Sequence, residues 1–176
     1  MRGEKVNVLV FSDSHGGADK INEVLARQIS PPVAIIFLGD GLRDIQGVDT
    51  GSVPVYSVCG NCDGHFDVLL SNVADERIIT VGGKRIFMTH GHKYHVKSVL
   101  SSLLHRAREM KADIVLFGHT HMPFEMTLGC GNDYGIEICQ PMYIMNPGSI
   151  GEYPYSFGNI EIDREGRVLL SHGTLR

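Results

Sequence analysis

Asp113-Ile114-Val115-Leu116-Phe117-Gly118-His119-Thr120-His121 is an apolar run that ends in a glycine and delivers two histidines one residue apart. Four consecutive apolar residues, with β-branched and aromatic members, read as a buried strand. At the tip of such a strand, the residues one and three past the glycine can turn toward the same space. Neutral imidazole is a good ligand for Zn, Mn, Fe or Ni. A His-x-His pair alone is weak grounds for a metal site. It gains weight because four other apolar runs of the chain also end in ligand-type residues.

Upstream, Val6 to Phe11 is broken only by Asn7 and leads into Ser12-Asp13-Ser14-His15-Gly16-Gly17. Val33 to Leu38 ends in Gly39-Asp40, with Asp44 four residues on, and Val53 to Val58 ends in Gly60-Asn61-Cys62-Asp63-Gly64. Ile78 to Val81 and Arg85 to Met88 flank Gly82-Gly83, a hairpin pattern whose second strand leads to Thr89-His90-Gly91-His92. Ile21, Val24, Leu25 and Ile29 predict a helix that Pro31-Pro32 stops. Val96, Val99, Leu100, Leu103, Leu104 and Ala107 predict a second helix, ending near Lys111. Strand, helix and strand in this order predict a parallel, right-handed crossover at the N-terminal end.

Downstream of His121 the texture changes to short β segments. Phe124 to Leu128 and Ile136 to Ile138 flank a glycine-rich loop, and Tyr143 to Met145 runs into Asn146-Pro147-Gly148-Ser149. Phe157 to Ile162 and Arg167 to Leu170 form a last hairpin about Glu165-Gly166. This C-terminal third is expected to be a sheet-forming half of one domain spanning residues 1–176.

The chain has 176 residues, 43% hydrophobic and 20% charged, the composition of an ordinary globular domain. A formal net charge of -4 gives no basic field, which argues against a general nucleic-acid binder. No apolar run approaches the ~18 residues of a membrane span. Met1 to Lys5 leads straight into a strand pattern without a signal-peptide layout, so a cytoplasmic location is expected. Cys59 and Cys62 are formally a CxxC, and with Cys130 and Cys139 a redox pair or structural zinc must be weighed. The glycines around the first pair favour a loop and the second pair is widely spaced, so unpaired thiols are the better reading.

Five apolar strands therefore end in Asp13 and His15, Asp40, Asn61, His90, and His119 with His121. Any one aspartate could be a turn or cap residue. In open α/β sheets, however, sites form at the carboxyl ends of strands. If the tips lie side by side, three oxygen ligands and four imidazoles converge. That is too many for one Zn²⁺ closed at four coordination. It suits two divalent ions sharing a carboxylate, and a mixed N/O set without thiolate favours Mn, Fe, Zn or Ni. Two such ions clamp the attacking and leaving oxygens of an in-line displacement at phosphorus. With no P-loop lysine and no Ser/His/Asp arrangement, hydroxide is the expected nucleophile.

Asp13-Ser14-His15, Gly39-Asp40 with Asp44, Gly60-Asn61-Cys62-Asp63, His90-Gly91-His92 and Gly118-His119-Thr120-His121 resemble the ordered motifs of the calcineurin-like metallophosphoesterases. Within them the chain is most similar to the small YfcE-like phosphodiesterase branch, whose late motif Asn146-Pro147-Gly148-Ser149 resembles. The resemblance spans roughly residues 6 to 163. It implies an α/β fold, a four-layer α/β/β/α sandwich of two packed mixed sheets flanked by helices. It also implies one ion on Asp13, His15, Asp40 and His121, and another on Asp40, Asn61, His90 and His119, with Asp40 bridging. Manganese is the expected metal, with Fe, Ni or Zn as alternatives.

The implied substrates are small phosphodiesters or phosphomonoesters contacted by Asn61, Cys62 and His92. Self-association as a homo-oligomer is compatible with this reading. The retromer subunit, a relative of the branch, implies the alternative of a metal-stabilised interaction module. Many larger members carry a histidine where this chain has Cys62, and that histidine is thought to assist the leaving group. His65 reads first as a solvated loop residue, and His95, His105 and His172 as surface residues.

Overall fold

Residues 5–64 and 72–175 are described by the computed structural model. In chain order, the first half contains β1 (Val6–Phe11), α1 (Ala18–Ala26), β2 (Ala34–Phe37), α2 (Leu42–Gln46), β3 (Val55–Ser57), β4 (Glu76–Val81) and β5 (Lys84–Thr89). There follow α3 (Ser101–Glu109), β6 (Ile114–Leu116), β7 (Pro123–Leu128), β8 (Gly131–Asp133) and β9 (Ile136–Ile138). The chain closes with β10 (Met142–Pro147), β11 (Ser156–Ile162) and β12 (Val168–Thr174). One five-stranded sheet runs β12-β11-β1-β2-β3 and the other β4-β5-β6-β10-β7. Both are mixed. The β1-β2-β3 and β5-β6-β10 cores are parallel, and the outer strands are antiparallel.

Alternation along the strands sorts their side chains into layers. Val8, Val10, Ile36 and Leu38 point into a core shared with Ile86, Met88, Ile114 and Leu116 of the other sheet. Their neighbours Leu9, Phe11, Ile35 and Phe37 face the opposite way and pack against Ile21 and Val24 of α1 and Leu42 and Ile45 of α2. On the second sheet, Phe87, Val115 and Phe117 pack against Leu103, Leu104 and Ala107 of α3. The result is the four-layer α/β/β/α sandwich. A strand covered on both faces must be apolar at every position. Burying each such side chain is worth about 1.5–3 kcal/mol, so the unbroken apolar runs are the mark of the inner strands.

Several expectations change. α1 ends at Ala26, so Ile29 lies beyond the helix, 106% exposed, and joins no core face. The second helix starts at Ser101 rather than near Val96. A 3₁₀ turn over His92–Tyr94, closed by His95 at φ 55°, occupies the preceding stretch and leaves Val99 48% exposed. A left-handed residue cannot continue a right-handed helix. The C-terminal third does not form one half of the domain: β7 and β10 join one sheet, β11 and β12 the other. α2 and β8 were not anticipated, being five and three residues long. His65 lies outside the described residues.

Candidate metal centre

The seven candidate ligands sit where β1, β2 and β3 of one sheet and β5 and β6 of the other reach their carboxyl ends. Backbone bonds tie these tips together. The Asp13 amide donates to Gly39 O (3.0 Å) and the Gly118 amide to His90 O (3.0 Å). Two further bonds cross between the sheets: His90 Nδ1 meets Leu38 O at 2.8 Å, and the His119 amide donates to Asp13 Oδ2 at 3.1 Å.

Asp13, His15, Asp40, His119 and His121 all have positive φ, between 42° and 66°. A non-glycine residue held there costs of order 1–3 kcal/mol, and such residues cluster at functional sites. The turns also need glycine for close approach. A Cβ on Gly60 would fall 2.1 Å from Asp40 Oδ1, and one on Gly118 would fall 2.0 Å from Ser12 Oγ.

Two groups of ligand atoms converge, Asp13 with His15 and His121, and Asp40 with His90 and His119, each with its atoms within 4.8 Å of one another. In the first, His121 Nε2 is 3.1 Å and His15 Nε2 4.0 Å from Asp13 Oδ1. In the second, His90 Nε2 is 3.3 Å from Asp40 Oδ2 and 3.1 Å from Asn61 Oδ1. His90 Nε2 also lies 3.9 Å from Asp13 Oδ1, which puts the groups next to each other. Cys62 and His92 stand at the edge. The Cys62 amide donates to Asp40 Oδ1 (2.7 Å), and the His92 ring is 5.4 Å from that of His90 and 6.2 Å from that of His119.

The electrostatics differ from ligand to ligand. Burial pushes the Asp13 carboxyl up, against the pull of His90, Ser12 and His121. Burial also works against the charge on Asp40, but hydrogen bonds from His90 and the Cys62 amide outweigh it and hold that carboxyl well below the usual range. His90 is the mirror case: burial opposes its charge, yet Asp40 and Asp13 raise its pKa. Burial first, and then the charge of His90, push His119 down to about 4, so its ring is neutral at physiological pH.

A model of the calcineurin-like phosphoesterase superfamily domain matches residues 6–165. The chain belongs to this superfamily. It is 31% identical over 145 residues to the probable metallophosphoesterase YsnB of Bacillus subtilis, covering 82% of this chain and 75% of YsnB. It is 28% identical over 183 residues to the phosphodiesterase YfcE of Escherichia coli, covering 90% of this chain and 89% of YfcE. Among solved structures, wild-type Vps29 of Entamoeba histolytica complexed with Zn²⁺ superposes with a TM-score of 0.67 at 21% identity. That match covers 96% of this chain and 99% of Vps29, and it is a likeness of fold.

The side chains of this superfamily member suit divalent cations. His121 Nδ1 is 3.0 Å from Glu152 Oε1, a contact that assigns the ring proton to Nδ1 and turns the Nε2 lone pair toward Asp13 Oδ1. Asp13 Oδ1 is buried and accepts no hydrogen bond from the described residues, whereas Oδ2 takes the Ser12 hydroxyl at 2.5 Å and the His119 amide. His90 Nδ1 donates to Leu38 O, which turns Nε2 toward two more oxygen acceptors. Acceptors facing acceptors are reconciled by a proton or by a metal cation. The raised His90 pKa shows the first solution, and the N/O donor set fits the second.

Sequence reasoning assigned no role to the residues that hold these ligands. The Asp63 carboxylate, 6% exposed, accepts four backbone N–H groups: Asp40 and Gly60 on Oδ2, Gly41 and Leu42 on Oδ1. It thus fixes the Asp40 turn, the Asn61 loop and the start of α2 together. Asp44 Oδ2 accepts Ser14 Oγ and the Gly16 amide, which sets the turn carrying His15. Asn146 Nδ2 donates to Gly118 O and Thr120 Oγ1 beneath the two histidines, and Ser149 Oγ donates to Asp13 O. His172, expected at the surface, is half-buried and contacts Asn146 O at 2.8 Å. The signal was present, since Asp44, Asp63 and Asn146 all sit inside the quoted motifs. The four cysteines are free thiols.

Proposed function

We propose that the chain is a divalent-metal-dependent phosphodiesterase with a two-ion centre. The observation that carries this reading is the convergence of imidazole nitrogens on carboxylate oxygens in two adjoining groups. One ion would rest on Asp13, His15, Asp40 and His121, and the other on Asp40, Asn61, His90 and His119, with Asp40 shared. Manganese leads among the metals this donor set accepts, with Fe, Ni and Zn behind it. Bound there, such ions polarise phosphoryl oxygens and lower the pKa of a coordinated water to about 7.

The chain's own residues orient and hold. Leu38 O and Glu152 fix the tautomers of His90 and His121. The exposed Asn61 amide and the His92 ring border the centre and would contact the phosphate. Burial pushes His92 down, so it meets substrate as a neutral ring. Burial, followed by contact with Asp40, pushes the Cys62 thiol up to about 11. The thiol therefore stays neutral and brings no cation to the leaving group. Substrates with good leaving groups are favoured, small phosphodiesters before phosphomonoesters. Four free thiols fit a cytoplasmic setting.

A second reading rests on the likeness to Vps29: the same fold with metal bound would serve as a protein-interaction module with little catalysis. Metal content measured together with turnover of bis(p-nitrophenyl) phosphate separates the two. Metal-loaded protein that turns over the diester supports the enzyme. Metal-loaded protein that is inert overturns that reading in favour of the module.

A further inference from the structure

The β8–β9 hairpin belongs to neither large sheet, and a cysteine flanks each of its ends, Cys130 before β8 and Cys139 after β9. Tyr134 and Gly135 join the strands with φ of 49° and 73°. Two successive left-handed residues make a two-residue turn of type I′. The register pairs Asp133 with Ile136, Asn132 with Glu137, and Gly131 with Ile138. In such a hairpin the pair flanking the turn is hydrogen-bonded, and non-hydrogen-bonded and hydrogen-bonded pairs then alternate outward. Gly131 and Ile138 are thus a hydrogen-bonded pair. Cys130 and Cys139 lie one position beyond the paired residues, where the alternation, if carried on, gives a non-hydrogen-bonded site.

That parity matters for sulfur chemistry. At non-hydrogen-bonded sites the Cα atoms lie about 4.5 Å apart and the side chains are close. A disulfide needs Cα atoms about 4.4–6.8 Å apart. The Cys130 thiol already spans the gap, its Sγ donating to Cys139 O at 3.2 Å. Both cysteines are exposed. The other pair is unsuited: Cys59 is buried, with Sγ held on Gly60 O (3.6 Å) and Asp63 O (3.7 Å), while Cys62 is exposed.

Cys139 also lines a groove of about 800 Å³ whose walls include Lys84, Arg85, Arg108 and Lys111 against Asp113 and Glu137. The excess of cations favours an anionic co-reactant. We propose that Cys130 and Cys139 form a thiol pair that an anionic low-molecular-weight disulfide, of the glutathione type, oxidises to a cross-strand disulfide. The Cys139 thiolate attacks one sulfur of the oxidant, breaking its S–S bond and releasing one thiol. The Cys130 thiolate then attacks Cys139 Sγ in the mixed disulfide and releases the second thiol. Two protein thiols are oxidised, one small disulfide is reduced to two thiols, and both protons leave with those products.

The site lies at the amino-terminal end of the β6 and β10 strands, opposite the metal centre, so it stands independently of the phosphoesterase reading. The test incubates the full chain with oxidised glutathione, then denatures it and counts free thiols by titration and intact mass. Wild type should lose two of its four thiols, with a mass lower by two hydrogens, no glutathione adduct, and full reversal by reductant. Cys130→Ser and Cys139→Ser should each instead stop at a single mixed disulfide. Three results overturn the proposal: no thiol loss in wild type, a glutathione adduct that persists there, or undiminished thiol loss in the Cys130→Ser/Cys139→Ser double variant.

Discussion

Asp63→Asn replaces one carboxylate oxygen with an NH₂ group where both oxygens are fully used. Oδ2 accepts the amides of Asp40 (2.7 Å) and Gly60 (2.9 Å), and Oδ1 accepts those of Gly41 and Leu42, both at 2.8 Å. Whichever way the new amide turns, its NH₂ faces two backbone N–H donors. A buried donor left unsatisfied costs about 1–3 kcal/mol. Two of them, partly relieved by water at Gly41, should cost about 3–5 kcal/mol in all. At about 2–4 °C per kcal/mol for a domain of this size, the Tm should fall by about 6–20 °C. The assay is urea and thermal unfolding with chelator present, so that metal does not contribute. Asp49→Asn serves as control: its carboxylate accepts one exposed amide, from Gly51 at 3.0 Å, and should cost well under about 1 kcal/mol. Because Asp63 also fixes the Asp40 turn, Mn²⁺ affinity should weaken by about 10–100-fold. An Asp63→Asn protein within about 1 kcal/mol of wild type, with unchanged Mn²⁺ affinity, would refute the assignment of Asp63 as the clamp of this loop.

Asp40→Ala should disturb both ion sites and His15→Ala mainly one; metal analysis showing two ions and normal kcat in Asp40→Ala removes the shared carboxylate. The folded pKa of His119, about 4, lies below its unfolded value near 6.5, so the unfolded chain binds this proton first on acidification. Metal-free stability should therefore fall as pH drops from about 6.5 to about 4, and His119→Gln should flatten that slope; urea midpoints that change alike with pH in both proteins contradict it. Cys62→Ala should change kcat/KM little, whereas Cys62→His should favour poorer leaving groups, since general acid help is worth about 10²–10⁴-fold. A leaving-group dependence that steepens in Cys62→Ala would instead make the thiol the proton donor.

The inner strands were legible in the sequence because packing on both faces demands apolar residues at every position, as from Val8 to Phe11 and from Ile114 to Phe117. The polar residues at their tips were legible for the complementary reason: Asp13, Asp40 and His90 interrupt apolar surroundings and would be costly there without partners. Local pattern also announced the glycines of the turns. What it could not give was partnership. Nothing in Phe157 to Ile162 says that β11 pairs with β1, about 150 residues earlier in the chain, or that β10 pairs with β6. Strand pairing is decided by long-range burial, and a period of two looks the same whichever neighbour supplies the hydrogen bonds. The same limit applies at the site. The sequence held Asp63, Asn146 and Glu152 in plain view, but their roles exist only because the tertiary fold brings four amides to one carboxylate and one carboxylate to one imidazole. The orphaned oxygen of Asp13 belongs to that level too, since an unmet acceptor is defined by what three-dimensional packing leaves unpaired around it.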